Sequence, residues 1–443
     1  MLIRAVWFPS KESSTPRVGN GYCKGMSLLD RMPISEAADR LGVSIDTIRR
    51  WEKKGLIKSH RDQSNHRQFT FSEVERLYRK LNGDEVENRF AIPVVKQSGL
   101  KAIDLFAGAG GTALGLENAG FEHVAVNELD KHAANTLRLN RPNWNVIEAD
   151  VHDISLREYA GAVDLVEGGF PCQAFSYAGN KKGFADTRGT LFHEFARIVD
   201  EVRPKVAMGE NVRGLVNHDG GRTLATMVAR LQEIGYRVAY RVLRAQYLDV
   251  PQKRERLILL AVREDLDYPL LFPRERDYTI SLREAIGDVP AGEGQVYKDW
   301  KYQIMEKVPP GGYWRDLPDE DQRSYMKASY FHGGGKTGMA RRLSWDEPSL
   351  TLTCNPAQKQ TERCHPEHTR PLNVREYARI QTFPDSWEFS GGTSQKYKQI
   401  GNAVPVNLGF HMGRAITAMI TGQDREEFDQ AEPMPTVPAY SLS

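Results

Sequence analysis

Cysteine is scarce in this chain, with four residues in 443, at positions 23, 172, 354 and 364. Their spacing gives no metal-type pairs, which argues against a cysteine-ligated zinc site and a disulfide-stapled secreted scaffold. Long apolar runs are also lacking, since no stretch approaches the roughly 18–20 residues of a membrane span. We therefore expect a cytoplasmic protein without a bound metal, in which a lone cysteine is either a packing residue or a nucleophile.

An excess of one charge is also lacking, because the formal net charge is only +2. The charge is nevertheless unevenly distributed. Residues 1–97 hold 18 Lys and Arg against 12 Asp and Glu, a net of +6, which leaves −4 for the remainder. A basic N-terminal segment on a near-neutral body is typical of nucleic-acid binding, although a solvated surface gives the same count.

Predicted strands and helices alternate regularly from Leu100 to about Arg263. Repeated strand–helix units predict an α/β fold with a mostly parallel sheet covered by helices on both faces. Between about Arg263 and Arg342 the pattern dissolves into Pro, Gly, Tyr and charged residues, and it returns with a final helix at about 405–420. The acidic, proline-bearing sequence after Gln423 predicts a disordered tail.

A glycine-rich turn, Asp104-Leu-Phe-Ala-Gly-Ala-Gly-Gly111, follows the first of these strands. Glycines let the backbone approach a ligand closely, and the next helix N-terminus favours negative charge. Glu128 ends the second strand, where its carboxylate can accept hydrogen bonds from both ribose hydroxyls of a nucleoside. Asp150 ends the third strand, where its carboxylate can accept a hydrogen bond from an adenine amino group. The pattern predicts a nucleoside pocket. An ordinary tight turn or a dinucleotide site remains an alternative, although the G-x-G-x-x-G spacing is missing.

The segment Gly168-Gly-Phe-Pro-Cys-Gln-Ala-Phe-Ser176 follows the fourth strand and resembles the Pro-Cys nucleophile segment of the cytosine-5 DNA methyltransferases. Further segments resemble that family's motifs and occur in its order. They are Asp186-Thr-Arg-Gly-Thr-Leu-Phe192, Glu210-Asn-Val212, Gln252-Lys-Arg-Glu-Arg256, Arg341–Thr353 and Gln399-Ile-Gly-Asn-Ala-Val404. The resemblance covers about residues 100–420. It implies a Rossmann-like S-adenosylmethionine-dependent methyltransferase domain with a small target-recognition domain.

The resemblance also implies the catalytic roles. Cys172 would add to C6 of a cytosine flipped out of duplex DNA, so that C5 can take the methyl group. Glu210, transiently protonated, would engage N3 and the exocyclic amine, and Arg256 would contact O2 of the base. Arg254 would hold the catalytic loop or a phosphate. Each residue alone has an ordinary structural reading, and it is their joint order that favours catalysis.

For the cofactor, S-adenosylmethionine, the resemblance implies one set of contact residues. They are Phe106, Gly108, Gly111, Glu128, Asp150, Pro171, Leu191 and Asn402. Phe106 would stack on the adenine and Asn402 would approach the amino-acid end, so the final helix must return to pack beside the first strand. Segment 173–190 is predicted to be a mobile clamp on DNA. Its basic residues are Lys181, Lys182 and Arg188.

Residues Pro33–Trp51 fit a helix-turn-helix, with Gly42 at the turn and Ser44 as a helix N-cap. The segment up to about residue 81 resembles the winged head of MerR-type regulators, whose sensor region is missing here. Three side chains of the second helix remain free for a DNA groove. They are Thr47, Arg49 and Arg50. The alternative is a helix pair used for docking or for a homodimer.

The predicted organisation places these regions in order. They are a flexible arm (1–25), a MerR-like DNA-binding domain (26–90), the first part of the catalytic domain (98–262), a target-recognition region (263–345), the remainder of the recognition lobe with the return to the catalytic domain (346–422) and a disordered tail (423–443). Double-stranded DNA is the expected substrate of this bacterial- or phage-type enzyme. A tRNA methyltransferase or an inactive DNA-binding regulator is the alternative, and intact Cys172, Glu210 and Arg256 disfavour the latter.

Overall fold

The computed structural model of the 443-residue chain describes residues 31–53, 57, 59–62, 64–70, 74, 77–78, 90–171, 191–333 and 336–436. Several predicted features lie outside the described residues. They are the arm 1–25, Cys172, the clamp segment 173–190 with Lys181, Lys182 and Arg188, and the end of the tail from residue 437. The chain divides into two compact units, Met1–Glu87 and Asn88–Ser443. In the described part, no helix is long and apolar enough to cross a membrane.

The first unit is a helix-turn-helix with a short antiparallel sheet. Its elements are β1 (Arg31–Pro33), α1 (Ile34–Leu41), α2 (Ile45–Lys53), β2 (His60–Arg61) and β3 (Arg67–Thr70), with the sheet order β1-β3-β2. Gly42 ends α1 in a left-handed conformation, and the Ser44 hydroxyl accepts a hydrogen bond from the Thr47 amide at 3.2 Å. Apolar residues from both helices and from β3 form one buried cluster. The predicted helix-turn-helix is therefore present.

The second unit is built on a seven-stranded sheet. Its strands are β4 (Lys101–Leu105), β5 (Glu122–Asn127), β6 (Val146–Ile147), β7 (Leu165–Gly168), β8 (Val206–Val212), β9 (Tyr236–Arg244) and β11 (Glu255–Arg263). The short strands β10 (Gln252–Lys253) and β13 (Ser349–Leu350) form a separate parallel pair. The order of the seven strands in the sheet is β6-β5-β4-β7-β8-β11-β9. The first five of these are parallel to one another, and β11 is antiparallel to both of its neighbours. The carboxyl ends of the parallel strands therefore share one edge of the sheet.

Helices cover both faces of this sheet. They are α3 (Gly111–Asn118), α4 (Lys131–Asn140), α5 (Leu191–Val202), α6 (Arg222–Glu233) and, near the C-terminus, α12 (Val406–Thr421). Helices α10 (Val374–Ile380) and α11 (Thr393–Asn402) pack in a cluster with residues of α3 and α4. Neighbouring residues of β4 belong to different cores, as expected for a strand buried on both faces. Ala102 packs in a cluster with residues of α3 and α12, whereas Ile103 packs with residues of α5 and α6.

The final helix α12 packs directly on α3, which confirms the predicted return beside the first strand. The contact is close because both helices carry glycines along it. A Cβ atom built on Gly115 of α3 would lie 2.4 Å from the carbonyl oxygen of Val406 and 2.8 Å from the carbonyl carbon of Gly409. Only a residue without a side chain lets the two backbones approach so closely.

The region between Arg263 and Arg342 is more regular than predicted. It contains β12 (Leu270–Pro273), α7 (Leu282–Ile286), α8 (Asp299–Glu306) and α9 (Asp319–Met326). A capping box at Ser281 and Glu284 begins α7. Part of this region forms its own core, in which Met305, Trp314 and Met326 pack with Cys364. Because Cys364 belongs to that core, part of the segment 346–422 packs with this region, as the predicted organisation has it.

The prediction of a disordered tail from residue 423 is wrong for its first part. Strand β14 (Phe428–Ala431) pairs antiparallel with β12, and the Met434 amide then donates to the carbonyl of Val238 on β9. Strand β9 is the last strand of the seven-stranded sheet, and an uncovered edge is a liability. The tail is ordered because it covers this edge.

Candidate active site

Glu210 and Arg256 form an ion pair at the edge where the parallel strands end. Glu210 lies on β8 and Arg256 near the start of the antiparallel β11, so the strand pairing brings them together. Arg256 Nε lies 2.6 Å from Glu210 Oε1, and the side chains are only 11% and 12% exposed. A charge-assisted bond in such a shielded place orients both groups.

The residues that lead to Cys172 are anchored beside this pair. The side-chain amide of Asn211 donates a hydrogen bond from Nδ2 to the carbonyl of Phe170 at 2.9 Å. A Cβ atom on Gly169 would lie 3.4 Å from Glu210 Oε2, so this glycine passes directly by the carboxylate. Pro171 is exposed, and it is the last described residue before Cys172. Asn211 had no predicted role, although it belongs to the Glu-Asn-Val motif.

The glycine turn and Glu128 form one hydrogen-bonded unit. Glu128 Oε2 accepts from the Gly108 amide at 2.7 Å, and Oε1 accepts from the Asp130 amide at 2.6 Å. Burial raises the pKa of Glu128. Phe106 opens the turn at a left-handed φ of 58° and packs in the same cluster as Leu191, the first residue of α5. The structure thus brings four of the predicted cofactor residues to one edge.

Asp150 lies after β6 with one carboxylate oxygen already engaged. Oδ1 accepts from the His152 amide at 3.0 Å and contacts the His152 ring nitrogen Nδ1 at 2.6 Å. The hydrogen bond from the His152 amide is the main reason why the pKa of Asp150 is lowered. His152 is a neighbour that the sequence analysis missed, although its position two residues after the aspartate is typical of a capping turn.

Asn402 reaches this edge from the C-terminal part of the chain. It is the last residue of α11, and the following backbone lies against the glycine turn, since a Cβ on Gly111 would be 2.0 Å from the carbonyl oxygen of Val404. Cys354, which had no predicted role, donates its thiol to Asn402 Oδ1 at 2.9 Å. Burial raises the pKa of Cys354, which favours the neutral thiol that this donation requires.

Comparisons with known proteins agree with this geometry. The family model of the C-5 cytosine-specific DNA methylases matches residues 100–418, well over half of the chain. The chain belongs to this family. The model of the MerR family regulatory proteins matches residues 33–69, within the first unit.

The chain is 53% identical over 412 residues to the Type II methyltransferase M.Eco47II of Escherichia coli, covering 89% of this chain and 97% of that one. It is 52% identical over 330 residues to M.Sau96I of Staphylococcus aureus, covering 73% and 77%. Its fold is similar to that of DNMT2 from Spodoptera frugiperda, with a TM-score of 0.54 at 18% identity, covering 72% of this chain and 99% of that one. The predicted fold, a Rossmann-like methyltransferase with a MerR-like N-terminal domain, is confirmed.

Arg254 of this methylase was predicted to hold the catalytic loop or a phosphate, and the loop lies outside the described residues. The Arg254 side chain is buried, at 2% exposure, so it cannot reach a phosphate at the surface. The guanidinium instead donates to the carbonyls of Leu352, Gly401 and Ala403. The motif spacing could not reveal this, because the carbonyls come from segments about 100 to 150 residues further along the chain.

Two buried carboxyl groups, which the sequence analysis left without a role, lie directly behind the active-site edge. Asp104 on β4 is opposite Glu167 on β7 in the parallel register, and both are at most 1% exposed. Burial raises the pKa of Asp104 to about 7. Burial, and next the charge of Asp104, raises the pKa of Glu167 well above its usual range. The pair therefore retains at least one proton at neutral pH.

In the first unit, the three predicted DNA contacts share the exposed side of α2. Arg49 pairs with Asp46 at 3.0 Å, and Arg50 Nη2 donates to Thr47 Oγ1 at 3.2 Å. These are exposed i,i+3 contacts of the kind that contribute little to stability. The side chains can therefore exchange them for a nucleic-acid phosphate or base at small cost.

Proposed function

We propose that this chain is a sequence-specific DNA methyltransferase that transfers a methyl group from S-adenosylmethionine to C5 of cytosine in duplex DNA. The observation that carries the proposal is the shielded Glu210–Arg256 ion pair next to the segment that leads into Cys172. An acid and a cation held together at one position can neutralise charge that develops on the ring of a bound base.

In the proposed reaction, Glu210 takes a proton from solvent before the chemical step, the Cys172 thiolate forms a bond to C6 of a flipped cytosine, and N3 takes that proton from Glu210. Arg256 fixes the Glu210 carboxyl and donates to O2 of the base. S-adenosylmethionine supplies the methyl group that C5 accepts. N3 then returns its proton to Glu210, a base from the solvent takes the C5 proton, and the Cys172–C6 bond breaks, which restores the aromatic ring and frees the thiolate.

The residues at the glycine turn fit this cofactor. Gly108 has a left-handed φ of 56°, and a Cβ built on it would meet no atom of the described residues within 4 Å, so the backbone is open to a ligand. Glu128 and Asp150, each with further acceptor capacity, lie at the ends of adjacent strands and would bind the ribose and the adenine amino group. Asn402 would bind the amino-acid end.

The N-terminal unit is proposed to add a second DNA contact, through Thr47, Arg49 and Arg50, which either represses the protein's own promoter or strengthens target binding. Target recognition is assigned to the lobe built around α8 and α9. The clamp residues Lys181, Lys182 and Arg188 are proposed to contact DNA next to the flipped base. These assignments rest on motif order and on exposure of α2.

Bisulfite sequencing of plasmid DNA from cells that express the wild-type chain tests the proposal. We expect methylated cytosines in one short sequence context, and none from cells that express Cys172→Ser at the same level. The purified Cys172→Ser protein should still bind S-adenosylmethionine. Unmodified DNA from wild-type cells, with methylation of tRNA instead, would contradict a DNA substrate, and methylation by Cys172→Ser would contradict the mechanism.

A further inference from the structure

Arg254 is a buried cation whose hydrogen-bond partners are all neutral groups. Its side chain is 2% exposed, and burial lowers its pKa well below the usual value. Within the described part of the chain, no carboxylate lies within ion-pair distance of its guanidinium, and its contacts are oxygens of carbonyl and amide groups. A buried charge without an ionic partner is costly. The stability of the fold therefore does not explain why an arginine occupies this position.

Two of the carbonyls belong to the end of α11, the helix whose last residue is Asn402. Arg254 Nη2 donates to the carbonyl of Gly401 at 3.3 Å and to that of Ala403 at 3.0 Å. The last carbonyls of a helix have no partner within the helix and form the negative end of its dipole, so a cation is favourable there. Arg254 therefore caps α11 and holds the backbone on both sides of Asn402.

The other terminal nitrogen of the Arg254 guanidinium holds segment 352–354, which lies beside Asn402. Nη1 donates to the carbonyl of Leu352 at 3.3 Å. This segment packs tightly on α11, because a Cβ on Gly401 would lie 2.4 Å from the carbonyl oxygen of Thr353. Since Cys354 in the same segment donates to Asn402 Oδ1, one cation orders both the backbone and the side-chain partner of Asn402.

Gln252 and Gln381 extend the same network. Gln252 Oε1 accepts from the Leu352 amide at 2.9 Å, and its Nε2 donates to Gln381 Oε1 at 2.8 Å. Gln381 Nε2 in turn donates to the carbonyls of Ile400 at 2.7 Å and Ala403 at 3.0 Å. The end of α11 is thus held by two buried donors that are linked through Gln252.

We propose that Arg254 is a positioning residue for the cofactor, which it serves by fixing Asn402 at the end of α11. The inference rests on the proposed function, in which Asn402 contacts the amino-acid end of S-adenosylmethionine. The basic segment 252–256 then serves both reactants. Arg256 faces the target base together with Glu210, and Arg254, two residues earlier, orders the cofactor side.

The test compares Arg254→Lys with Arg342→Lys in the full-length protein. Arg342 is a matched control, because it is 3% exposed and its guanidinium donates to backbone carbonyls, including those of Val308 at 2.7 Å and Met305 at 2.6 Å. Those carbonyls belong to the recognition lobe and not to α11. The measurements are the Kd of S-adenosylmethionine by calorimetry, the kcat and KM of methylation, the Tm, and DNA affinity against salt concentration.

We expect Arg254→Lys to raise the Kd and the KM for S-adenosylmethionine about tenfold, the effect of losing roughly one charge-assisted hydrogen bond. Most of kcat should return at saturating cofactor, and DNA affinity and its salt dependence should not change. Arg342→Lys should lower the Tm to a similar extent while its Kd for the cofactor stays that of the wild type. A purely structural role would not produce this split.

An unchanged cofactor Kd in Arg254→Lys, or an equal rise in both variants, would overturn the inference. Weaker DNA binding with a shallower salt dependence would instead assign Arg254 to a phosphate. If Arg254→Lys does not fold, Gln381→Ala removes the second donor to Ala403 and must also raise the Kd. Wild-type protein that fails to bind S-adenosylmethionine would contradict the proposed function itself, and not only this inference.

Discussion

Glu210 depends on its neighbours for its chemistry, because the ion pair to Arg256 at 2.6 Å holds the carboxyl in one orientation at the edge of the sheet. A carboxyl group in this position can exchange a proton with a ring nitrogen only if its oxygens stay within hydrogen-bonding distance of that nitrogen. The hydrogen bond from the Asn211 side chain to the Phe170 carbonyl holds the residues that precede Cys172 beside this carboxyl group.

Replacement of Glu210 by Gln keeps the size of the side chain but removes the acid, so we expect kcat for methylation to fall about 10²-fold or more. The control is Glu255→Gln on the same ladder, whose carboxylate forms an exposed ion pair with Arg213 at 2.8 Å. Steady-state kinetics on duplex DNA measure both. Equal turnover of Glu210→Gln and the wild type would refute the assignment of the acid.

The buried pair Asp104 and Glu167 makes stability depend on pH. The pKa of Asp104 rises from 3.8 to about 7 on folding, so the folded protein binds more protons than the unfolded chain in that window. The contribution of Asp104 to the free energy of unfolding therefore falls as pH rises from about 4 to about 7. We expect the urea midpoint of the wild type, measured relative to that of Asp104→Asn, to fall over this range, with exposed Asp153→Asn as the control. Parallel curves for all three proteins would contradict this account.

At the scale of elements, the contact between α3 and α12 limits where Asn402 can lie, because α12 begins at Val406, four residues after Asn402. The two helices approach through Gly115 and Gly409, whose missing side chains leave backbone against backbone. A methyl group at this contact has no flexible neighbour to displace, so the helices must separate.

Gly115→Ala is therefore expected to lower the free energy of unfolding by about 1–3 kcal/mol, as overpacking of a tight contact does. Gly214→Ala is the matched control, since a Cβ there would meet no described atom within 4 Å. Urea denaturation of the two variants gives the difference. If both lose the same amount, the close approach of α3 and α12 is not what requires glycine.

At the scale of the whole molecule, the two compact units can be studied separately by truncating the chain, and the packing of residues 90–92 shows where to cut. Phe90 and Ile92 pack against the core of the second unit, and Asn407 Nδ2 donates to the carbonyl of Ala91 at 2.9 Å. A truncation should therefore remove residues 1–87, the first compact unit, and keep Phe90.

We expect the chain without residues 1–87 to retain cytosine methylation and to lose binding to the DNA upstream of its own reading frame. The reason is that the catalytic residues and the proposed cofactor residues all belong to the second unit. Methylation assays and gel-shift measurements separate the two activities, and Arg49→Ala with Arg50→Ala in the full chain is the point-variant control. Undiminished promoter binding by the truncated protein would rule out the regulatory role.

The sequence predicted much of this fold from local pattern. The alternation of strands and helices predicted from Leu100 to about Arg263 is present, for example in strand Lys101–Leu105 and helix Leu191–Val202, because apolar periodicity depends on which faces are buried. The prediction from local pattern was wrong where a segment is ordered by contacts with residues far away in the chain. Helices α8 and α9 pack around their own small core, and β14 pairs with β12. Such contacts leave no periodic signal in the segment itself.

The sequence by itself determined the family, the motif order and the residues available for chemistry, since these depend on residue type and spacing. Only the tertiary structure decided how those residues are used. Arg254 and Arg256 are two residues apart in one basic motif, yet one is buried under α11 and the other faces Glu210. The reason is that a side chain's role depends on the groups that folding brings around it, and the carbonyls of Leu352, Gly401 and Ala403 reach Arg254 only in the folded chain.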